Sequence, residues 1–411
     1  MPSMKKLSSN ERLSAILKLV NVHQKIDNNT LAKLLKVSVK TIRCDVRQLE
    51  QEQLIKRVHG GVTKASHYQA GRYSLDASLM SIVMESSYLH LSPYSNKSTM
   101  GLNSMGNKVF VLGSFNVDIT SNVDRFPVPG ETVSSHSSGY GAGGKGANQA
   151  YAAARNGAEV TFMTKIGNDQ FNLFAKEHLS KTGINHNIIM ESETQPTGNA
   201  LIMVSSENGE NMIAVNSGAN VHIQPEEVAA AESHIVASDI LVTQLETNTD
   251  AILAAMRMAS GSGVKVVLNP APFKPEVNQL IPYVDIITPN ETEASEIAGV
   301  PVETLDDAKN AAKIIHNLGV ESVVITRGSK GALVYENGRF TEVPVFNSAV
   351  VDTTGAGDSF NGALVSQLGQ GRRLEDAAKY ASAYASLKVE RVGAANMPDS
   401  SLVEQRLASL K

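Results

Sequence analysis

From residue 107 almost to the end of the chain, short apolar runs alternate with helix-patterned stretches. This alternation restricts the fold more than any other feature of the 411 residues. The runs Lys108-Val-Phe-Val-Leu-Gly-Ser114, Asp239-Ile-Leu-Val-Thr-Gln-Leu245, Val264-Lys-Val-Val-Leu268, Val284-Asp-Ile-Ile-Thr288 and Glu321-Ser-Val-Val-Ile-Thr326 are rich in β-branched residues. Strands buried on both faces have that near-continuous apolar character. Helical patterns at 146–156, 249–260, 305–318 and 374–390 lie between or beyond them. The order predicts an α/β domain whose parallel sheet carries helices on both faces. Ligands then belong beyond the carboxyl ends of the strands. Two more polar segments, 131–139 and 200–216, predict antiparallel strands forming a small lid.

Composition narrows the setting. With 42% hydrophobic and 19% charged residues the chain is ordinary globular protein. Its length predicts two or three domains. No apolar run approaches the roughly 18 residues of a membrane-spanning helix. The first residues, MPSMKKLSSNERL, have no apolar core after their lysines, so no signal peptide is expected. A single cysteine, Cys44, excludes an internal disulfide framework and a multi-cysteine metal site. The expectation is a soluble cytoplasmic protein.

Charge is unevenly spread. Residues 1–61 hold twelve Lys and Arg against five Asp and Glu, a net +7; the remainder holds 25 against 36, a net −11. A basic head on an acidic body predicts that only the head meets a polyanion. The head opens with Ser8-x-x-Glu11, a capping-box pattern. Leu13, Ile16, Leu17 and Val20 follow at helical spacing. Asp27 is placed to cap a second helix carrying Leu31, Leu34 and Leu35, and Ser38 a third. On the third, Ile42, Val46 and Leu49 face inward and leave Lys40, Thr41, Arg43 and Arg47 outside. Residues 54–62 then predict a hairpin with a Gly-Gly turn. Two helices around a tight turn, followed by a hairpin, describe a winged helix-turn-helix whose third helix enters the major groove of double-stranded DNA. The pattern alone fits a helical protein-interaction module as well. Residues 64–106, with ten serines, predict a linker carrying one short helix at 78–85.

Two glycine-rich segments carry the chemistry. Gly139-Tyr-Gly-Ala-Gly-Gly-Lys145-Gly-Ala-Asn148 contains G-x-G-x-x-G, but no apolar strand precedes it and the nearest acid, Glu159, comes 13 residues after Gly146. A dinucleotide site needs both features. It also approaches a Walker A loop, yet Gly146 stands where a Mg²⁺-binding hydroxyl is required. What remains is a loop whose backbone approaches a ligand closely, with Lys145 and Asn148 as polar groups. The second segment is Val351-Asp352-Thr353-Thr354-Gly355-Ala356-Gly357-Asp358-Ser359-Phe360-Asn361-Gly362-Ala363. A glycine turn opening a helix aims the N–H groups of Gly355, Ala356, Gly357 and Asp358 at one point, an anion hole suited to a transferring phosphoryl group. Asp358 at its mouth is a candidate general base. Taken alone, the same residues also describe a plain helix start with an acid in its first turn.

The head sequence VSVKTIRCDVRQLEQEQLIKRVHGGV resembles the DNA-binding head of the DeoR family of bacterial sugar-responsive repressors. Thr41-Ile42-Arg43-x-Asp45 and the His59-Gly60-Gly61 wing carry the match, and Cys44 stands where that family often has a basic residue. The sugar-phosphate-sensing domain that follows the wing in that family is not recognisable here. Residues 107–400 resemble the ribokinase family, the PfkB family of sugar kinases. The matching words are Gly113-Ser-Phe-Asn116-Val-Asp118, Pro129-Gly-Glu-Thr132, Gly143-Gly-Lys-Gly-Ala-Asn148-Gln, Leu268-Asn-Pro-Ala-Pro272, Ile287-Thr-Pro-Asn290-Glu-Thr-Glu293 and Asp352-Thr-Thr-Gly-Ala-Gly-Asp358.

That resemblance implies a three-layer domain at 107–411, behind a winged helix-turn-helix at 1–63 and a linker at 64–106. It implies ATP-dependent phosphorylation of D-ribose at the 5-hydroxyl, with deoxyribose, a nucleoside, or pure sugar sensing by a repressor as alternatives. Asn116, Asp118, Gly144, Lys145, Asn148 and Glu246 would bind the sugar, with Asp358 as base. Asn290 and Glu293 would arrange Mg²⁺ through water; without the family they read as a helix cap. Thr326, Arg327, Gly328, Ser329, Lys330 and Gly331 would form the nucleotide loop with Asn290 and Gly357. Ser382 stands near the adenine, where the family often has His. A K⁺ site would use Asp352, Thr354, Lys388, Arg391, Gly393 and Met397, mostly through main-chain carbonyls; Met397 replaces a small polar residue. Lids in this family often pair between subunits, which implies a homodimer.

Overall fold

The structure, a computed structural model, describes residues 106–409 and residues 12–64 apart from 14, 18, 21–24, 52–53 and 59–60. The Ser8–Glu11 capping box and the 78–85 helix therefore lie outside the described residues. The chain divides into two compact units, Met1–Gly101 and Leu102–Lys411. Among the described residues no helix is long and apolar enough to cross a membrane.

In the N-terminal unit the described residues of 12–20 are helical. Strand β1 (Lys25–Asp27), helices α1 (Asn28–Leu34) and α2 (Val39–Gln51), and strands β2 (Ile55–Val58) and β3 (Gly61–Lys64) follow. Local chemistry accounts for the break between the helices. Lys36 takes a positive φ of 51°, and the Ser38 hydroxyl accepts the Thr41 N–H at 3.1 Å, the bond that an N-cap serine makes. Leu13, Ile16, Leu31, Ile42, Val46, Leu49, Ile55 and Val62 form one buried cluster. The wing holds three strands in the order β1-β3-β2. β1 was not expected, because three residues are too few to show a period. Val58 pairs with Gly61, so Gly61 belongs to β3 and not to the turn.

The larger unit is built on a nine-stranded sheet in the order β16-β15-β14-β13-β12-β11-β4-β7-β8. The expected strands are β4 (Lys108–Leu112), β11 (Ile240–Thr243), β12 (Lys265–Leu268), β13 (Ile286–Ile287) and β14 (Ser322–Thr326). All are parallel to their neighbours within that set. Each strand feeds both faces: Val109 and Val111 join one core cluster, Phe110 and Leu112 the other. Helices α3 (Lys145–Arg155), α8 (Ala356–Gly369) and α9 (Leu374–Lys388) pack into the first cluster. Helices α5 (Thr249–Gly261) and α7 (Leu305–Asn317) pack into the second. The result is the expected three-layer arrangement.

Four strands of this sheet were not expected. β7 (Glu159–Gly167) is buried but interrupted by Lys165, whose ammonium is held by Glu227 at 2.8 and 2.9 Å. β8 (His186–Ser192) is a half-buried edge strand with weak alternation. β15 (Ala332–Glu336) and β16 (Arg339–Val343) form an antiparallel hairpin. Its turn is Asn337-Gly338, with φ of 50° and 75°, and Asn-Gly between apolar runs is a strong hairpin signal in sequence.

The lid is a separate four-stranded sheet, β10-β9-β5-β6. It uses β5 (Asn116–Val123), β6 (Ser135–Gly143), β9 (Gly198–Ser205) and β10 (Asn211–Asn216). The expected boundaries shift. Glu131 lies in a turn, where its carboxylate takes Arg125 and the Val128 N–H. β5, absent from the expectation, is one of the two inner strands, parallel to β9 and antiparallel to β6.

Candidate active site

The site lies where the carboxyl ends of β11, β12 and β13 meet the amino ends of α3 and α8. Gly355, in the left-handed conformation at φ 76°, caps α8. A side chain there would meet the Ala394 carbonyl at 2.6 Å. The turn brings Asp358 into the first helical turn, 7% exposed. The Ala356 N–H is directed back to the Thr353 carbonyl at 3.1 Å. The anion hole therefore narrows from four donors to Gly355, Gly357 and Asp358, since the first N–H groups of a helix lack intrahelical partners.

Two neutral amides grip the Asp358 carboxylate. Asn148 Nδ2 donates to Oδ2 at 2.9 Å and Gln149 Nε2 to Oδ1 at 3.1 Å. Behind them runs a chain of side chains that sequence reasoning missed. Gln244 Nε2 donates to Gln149 Oε1 at 2.7 Å. Gln149 Nε2 also donates to Asn269 Oδ1, and Asn269 Nδ2 to the Thr288 carbonyl. Thr288 Oγ1 donates to Asn361 Oδ1 at 2.6 Å, and Asn361 Nδ2 to the Gly357 carbonyl. Gln244, Asn269 and Thr288 are the first residues beyond β11, β12 and β13. A polar residue directly after each of three buried strands was the available signal.

Lys145 opens α3 beside this carboxylate. Asp358 raises its pKa most, burial opposes, and Glu246 and Glu293 add to the rise. Gly144, at φ 91°, has no room for a side chain: a Cβ would meet Asn116 N and Ser114 O at 2.8 Å. Glu246 Oε2 accepts the Ser114 hydroxyl at 2.5 Å and the Lys145 N–H at 3.0 Å. Asn116 accepts an N–H from Asn220 at 2.8 Å, a second residue that was not anticipated. Burial, then Glu246 and Asp358, push Asp118 up to about 6. Gly141 pairs with Asp118 across β5 and β6, and a Cβ on Gly143 would strike the Asp118 carboxylate.

A cavity of about 250 Å³ opens at the mouth of the hole. Lys145, Asn290, Glu293, Thr326, Gly355, Ala356, Gly357 and Asp358 line it, as do Asn269, Ala271, Thr353 and Asn361. Asn290 and Glu293 make a full capping box at the start of α6 (Glu291–Ala298). Each side chain accepts the other's N–H, at 2.8 and 2.9 Å. The plain cap reading is thus realised, and both residues still reach the cavity. Burial raises Glu293, and Lys145 opposes it.

The chain as a whole has known relatives. Residues 107–400 match the pfkB family of carbohydrate kinases. The chain belongs to that family. It is 41% identical to the ribokinase of Haemophilus influenzae over 284 residues, 69% of this chain and 92% of that protein. It is 34% identical to a deoxyribokinase of Salmonella typhi over 286 residues, 69% of this chain and 93% of that protein. A solved structure of Arabidopsis thaliana ribokinase complexed with ribose and ATP is 32% identical. It matches 73% of this chain and 98% of its own, with a TM-score of 0.68. Residues 12–67 match a DeoR-like helix-turn-helix domain.

The pfkB frame separates the remaining predicted residues. In the loop after β14, Arg327 and Lys330 both reach Glu291, at 3.3 and 3.1 Å, so their charges are already engaged. Gly328, Ser329 and Lys330 form a 3₁₀ turn closed by Gly331, whose carbonyl accepts the Arg327 N–H. Ser382 lies outside the cavity lining, its hydroxyl on the Pro344 carbonyl at 2.7 Å. In the expected cation loop, Asp352 takes the Thr354 and Gly393 N–H groups, both at 2.8 Å. Burial raises Asp352, but these bonds and Lys388 bring it below its usual value. Lys388 is fully buried and Met397 nearly so.

In the head, Lys40, Arg43 and Arg47 are exposed on α2, as is Cys44. Thr41 is half-buried and its hydroxyl shares a 2.9 Å hydrogen bond with Ser38. Asp45 points the other way. It is buried, and Arg12 binds it bidentately at 2.9 and 3.1 Å.

Proposed function

We propose that this kinase transfers the γ-phosphoryl group of ATP to the 5-hydroxyl of D-ribose, in the cytoplasm, and that its head binds operator DNA. The buried Asp358 carboxylate at the mouth of the N–H hole carries the reading. Asp118, Glu246, Asn116 and Asn148 supply the acceptors and donors that a molecule of hydroxyl groups needs. Asp358 takes the proton of the 5-hydroxyl, whose oxygen bonds to phosphorus as the bond to ADP breaks. The N–H groups of Gly355, Gly357 and Asp358 and the Lys145 ammonium stabilise the charge on the transferring group. Bound Mg²⁺ would neutralise ATP phosphate charge; the Glu293 oxygen left over from its cap and Asn290 suit a hydrated divalent ion. Thr326 and the 328–331 turn would pass along the nucleotide. The lid excludes water, so phosphate reaches sugar and not solvent.

On the head, Lys40, Arg43 and Arg47 form the face offered to DNA, and such heads read paired half-sites as dimers. Homodimerisation through the lid supplies that pairing, and Leu201, Met212, Ile213 and Val215 support it because each is more than half exposed there. The test is a coupled assay with ATP and a panel of pentoses, hexoses and nucleosides. Ribose is expected to give the highest kcat/KM. A preference for deoxyribose replaces the substrate while leaving the chemistry, and no phosphorylation of any member leaves only a sugar-sensing regulator.

A further inference from the structure

Helix α9 ends in Lys388, and its side chain turns inward to 0% exposure. A buried ammonium is costly unless it is paired and hydrogen-bonded. Its Nζ donates to the main-chain carbonyl of Arg391 at 3.4 Å. Burial brings the Lys388 pKa below its usual value, with Arg391 adding to the fall and Asp352 and Asp358 opposing it. The surrounding backbone is drawn in around it. Val351 and Asp352 both donate to the Val389 carbonyl, at 2.7 and 3.0 Å. The Asp352 carboxylate joins this loop to the next one through the Thr354 and Gly393 N–H groups. Gly355, which caps the catalytic helix, rests against Ala394. The ammonium thus sits at a helix C-terminus, where positive charge is favoured, and behind the loop that shapes the anion hole.

This is the loop to which the family resemblance assigns K⁺, and with the Lys388 ammonium in place the residues present do not fit that ion. The Arg391 carbonyl, one of the assigned ligands, already accepts a lysine N–H. Both Asp352 oxygens already accept backbone N–H groups. The buried Met397 side chain offers no hard oxygen where the family has a small polar residue. A K⁺ ion added here would lie beside a fixed positive charge that already takes up the field of the Asp352 and Asp358 carboxylates.

We propose that the Lys388 ammonium is the built-in cation of this loop, so that the enzyme runs without exogenous K⁺. Lys388 is a positioning residue: it holds the 351–355 and 391–394 loops together and fixes the turn that aims the N–H groups. The inference rests on the kinase reading for its rate test, but not for its binding test.

The full chain is assayed in choline buffer free of alkali ions and ammonium, then with K⁺ added. Wild-type turnover is expected to change by less than about twofold. Lys388→Met is expected to lose at least ~10-fold in kcat without alkali ion, on the scale of losing preorganised charge at a reacting site, and to recover with K⁺. Thermal melting is the second readout. Added K⁺ should leave the wild-type Tm where it is and raise that of Lys388→Met, because a ligand stabilises only a protein that binds it. Activation of the wild type several-fold by K⁺, or a wild-type Tm that climbs with K⁺, overturns the proposal. If Lys388→Met does not fold, the wild-type titrations decide alone. A protein inert toward every sugar sinks the kinase reading, while the melting curves still decide whether the loop takes K⁺.

Discussion

Asp45 in the head and Asp358 in the kinase body invite comparison. Each is an acid on a helix, in a motif that stands out in the sequence, and each is buried, at 4% and 7% exposure. Their partners differ. Asp45 is held by the Arg12 guanidinium at 2.9 and 3.1 Å. Asp358 is held by two neutral amides at almost the same distances. A guanidinium cancels the carboxylate's charge through two parallel hydrogen bonds. Amides orient the carboxylate and leave its charge in place, available to a proton and to the Lys145 ammonium. The first arrangement fastens a helix, while the second leaves a carboxylate charge in place, as the proposed base requires. A buried acid is therefore assigned by what grips it.

Replacing each acid by its amide breaks the comparison most directly. Asp358→Asn should lower kcat by ~10²–10⁴-fold, the range of general-base catalysis, with sugar still bound. Asp45→Asn should leave phosphorylation unchanged and weaken the bidentate grip of Arg12, lowering the melting temperature of the head. Paired kinetics and head-domain melting check both. A variant Asp358→Asn that keeps a tenth of wild-type turnover would show that the carboxylate is not the base.

The amide grip can be loosened next. Gln149→Leu removes one donor to Asp358 and should lower kcat by about 10-fold with little change in KM for sugar, as expected when a transition-state interaction is lost. In an Asp358→Asn background the same change should cost almost nothing, because residues in one network couple. An equal loss in both backgrounds would make Gln149 a packing residue.

A third acid, Asp118, sharpens the contrast, since burial and its acidic neighbours Glu246 and Asp358 hold it at about 6. Above that pH it is ionised and accepts sugar hydroxyls; below it the carboxyl is neutral. KM for sugar should therefore rise as pH falls through about 6, and Asp118→Asn should flatten that limb. A wild-type KM independent of pH between 5 and 7 would remove Asp118 from sugar binding.

The smallest effect on the kinase is none at all. Arg43→Ala with Arg47→Ala should weaken duplex DNA binding about 10-fold or more and lessen its salt dependence, because each arginine neutralises phosphate. Sugar phosphorylation should stay at the wild-type rate. DNA titrations at two salt concentrations, alongside the coupled assay, test this; unchanged DNA affinity would move the contact face off α2.

Much of this molecule is written locally. Ser38 caps α2 and Asn290 with Glu293 caps α6 through bonds three residues apart, so a short window of sequence contains both partners. β4, β11, β12, β13 and β14 are legible because burial on both faces leaves an uninterrupted apolar run. The hairpin turn Asn337-Gly338 was equally legible, and only its signal went unread. β7 was harder, because Lys165 breaks its apolar run and is explained by Glu227, 62 residues away. β5 reads as polar because it carries Asn116 and Asp118, which the proposed function assigns to the sugar.

The sequence by itself therefore determined the five doubly buried parallel strands, the Ser38 and Asn290 caps, the glycine turn before α8 and the identity of the acid at its mouth. Each of these depends on residues a few positions apart or on average burial. The tertiary structure decided which acids meet which partners. Asn148 and Asp358 are 210 residues apart and Arg12 and Asp45 are 33 apart. The amides after β11 and β12 reach Gln149 only because those strands are neighbours in the sheet. Lys388 shows the same limit at short range. It lies three residues from the carbonyl it binds, yet only the packing of α9 into the core turns its charge inward. Periodicity reports whether a position is buried, whereas the direction of a hydrogen bond depends on the three-dimensional neighbour that supplies the other atom.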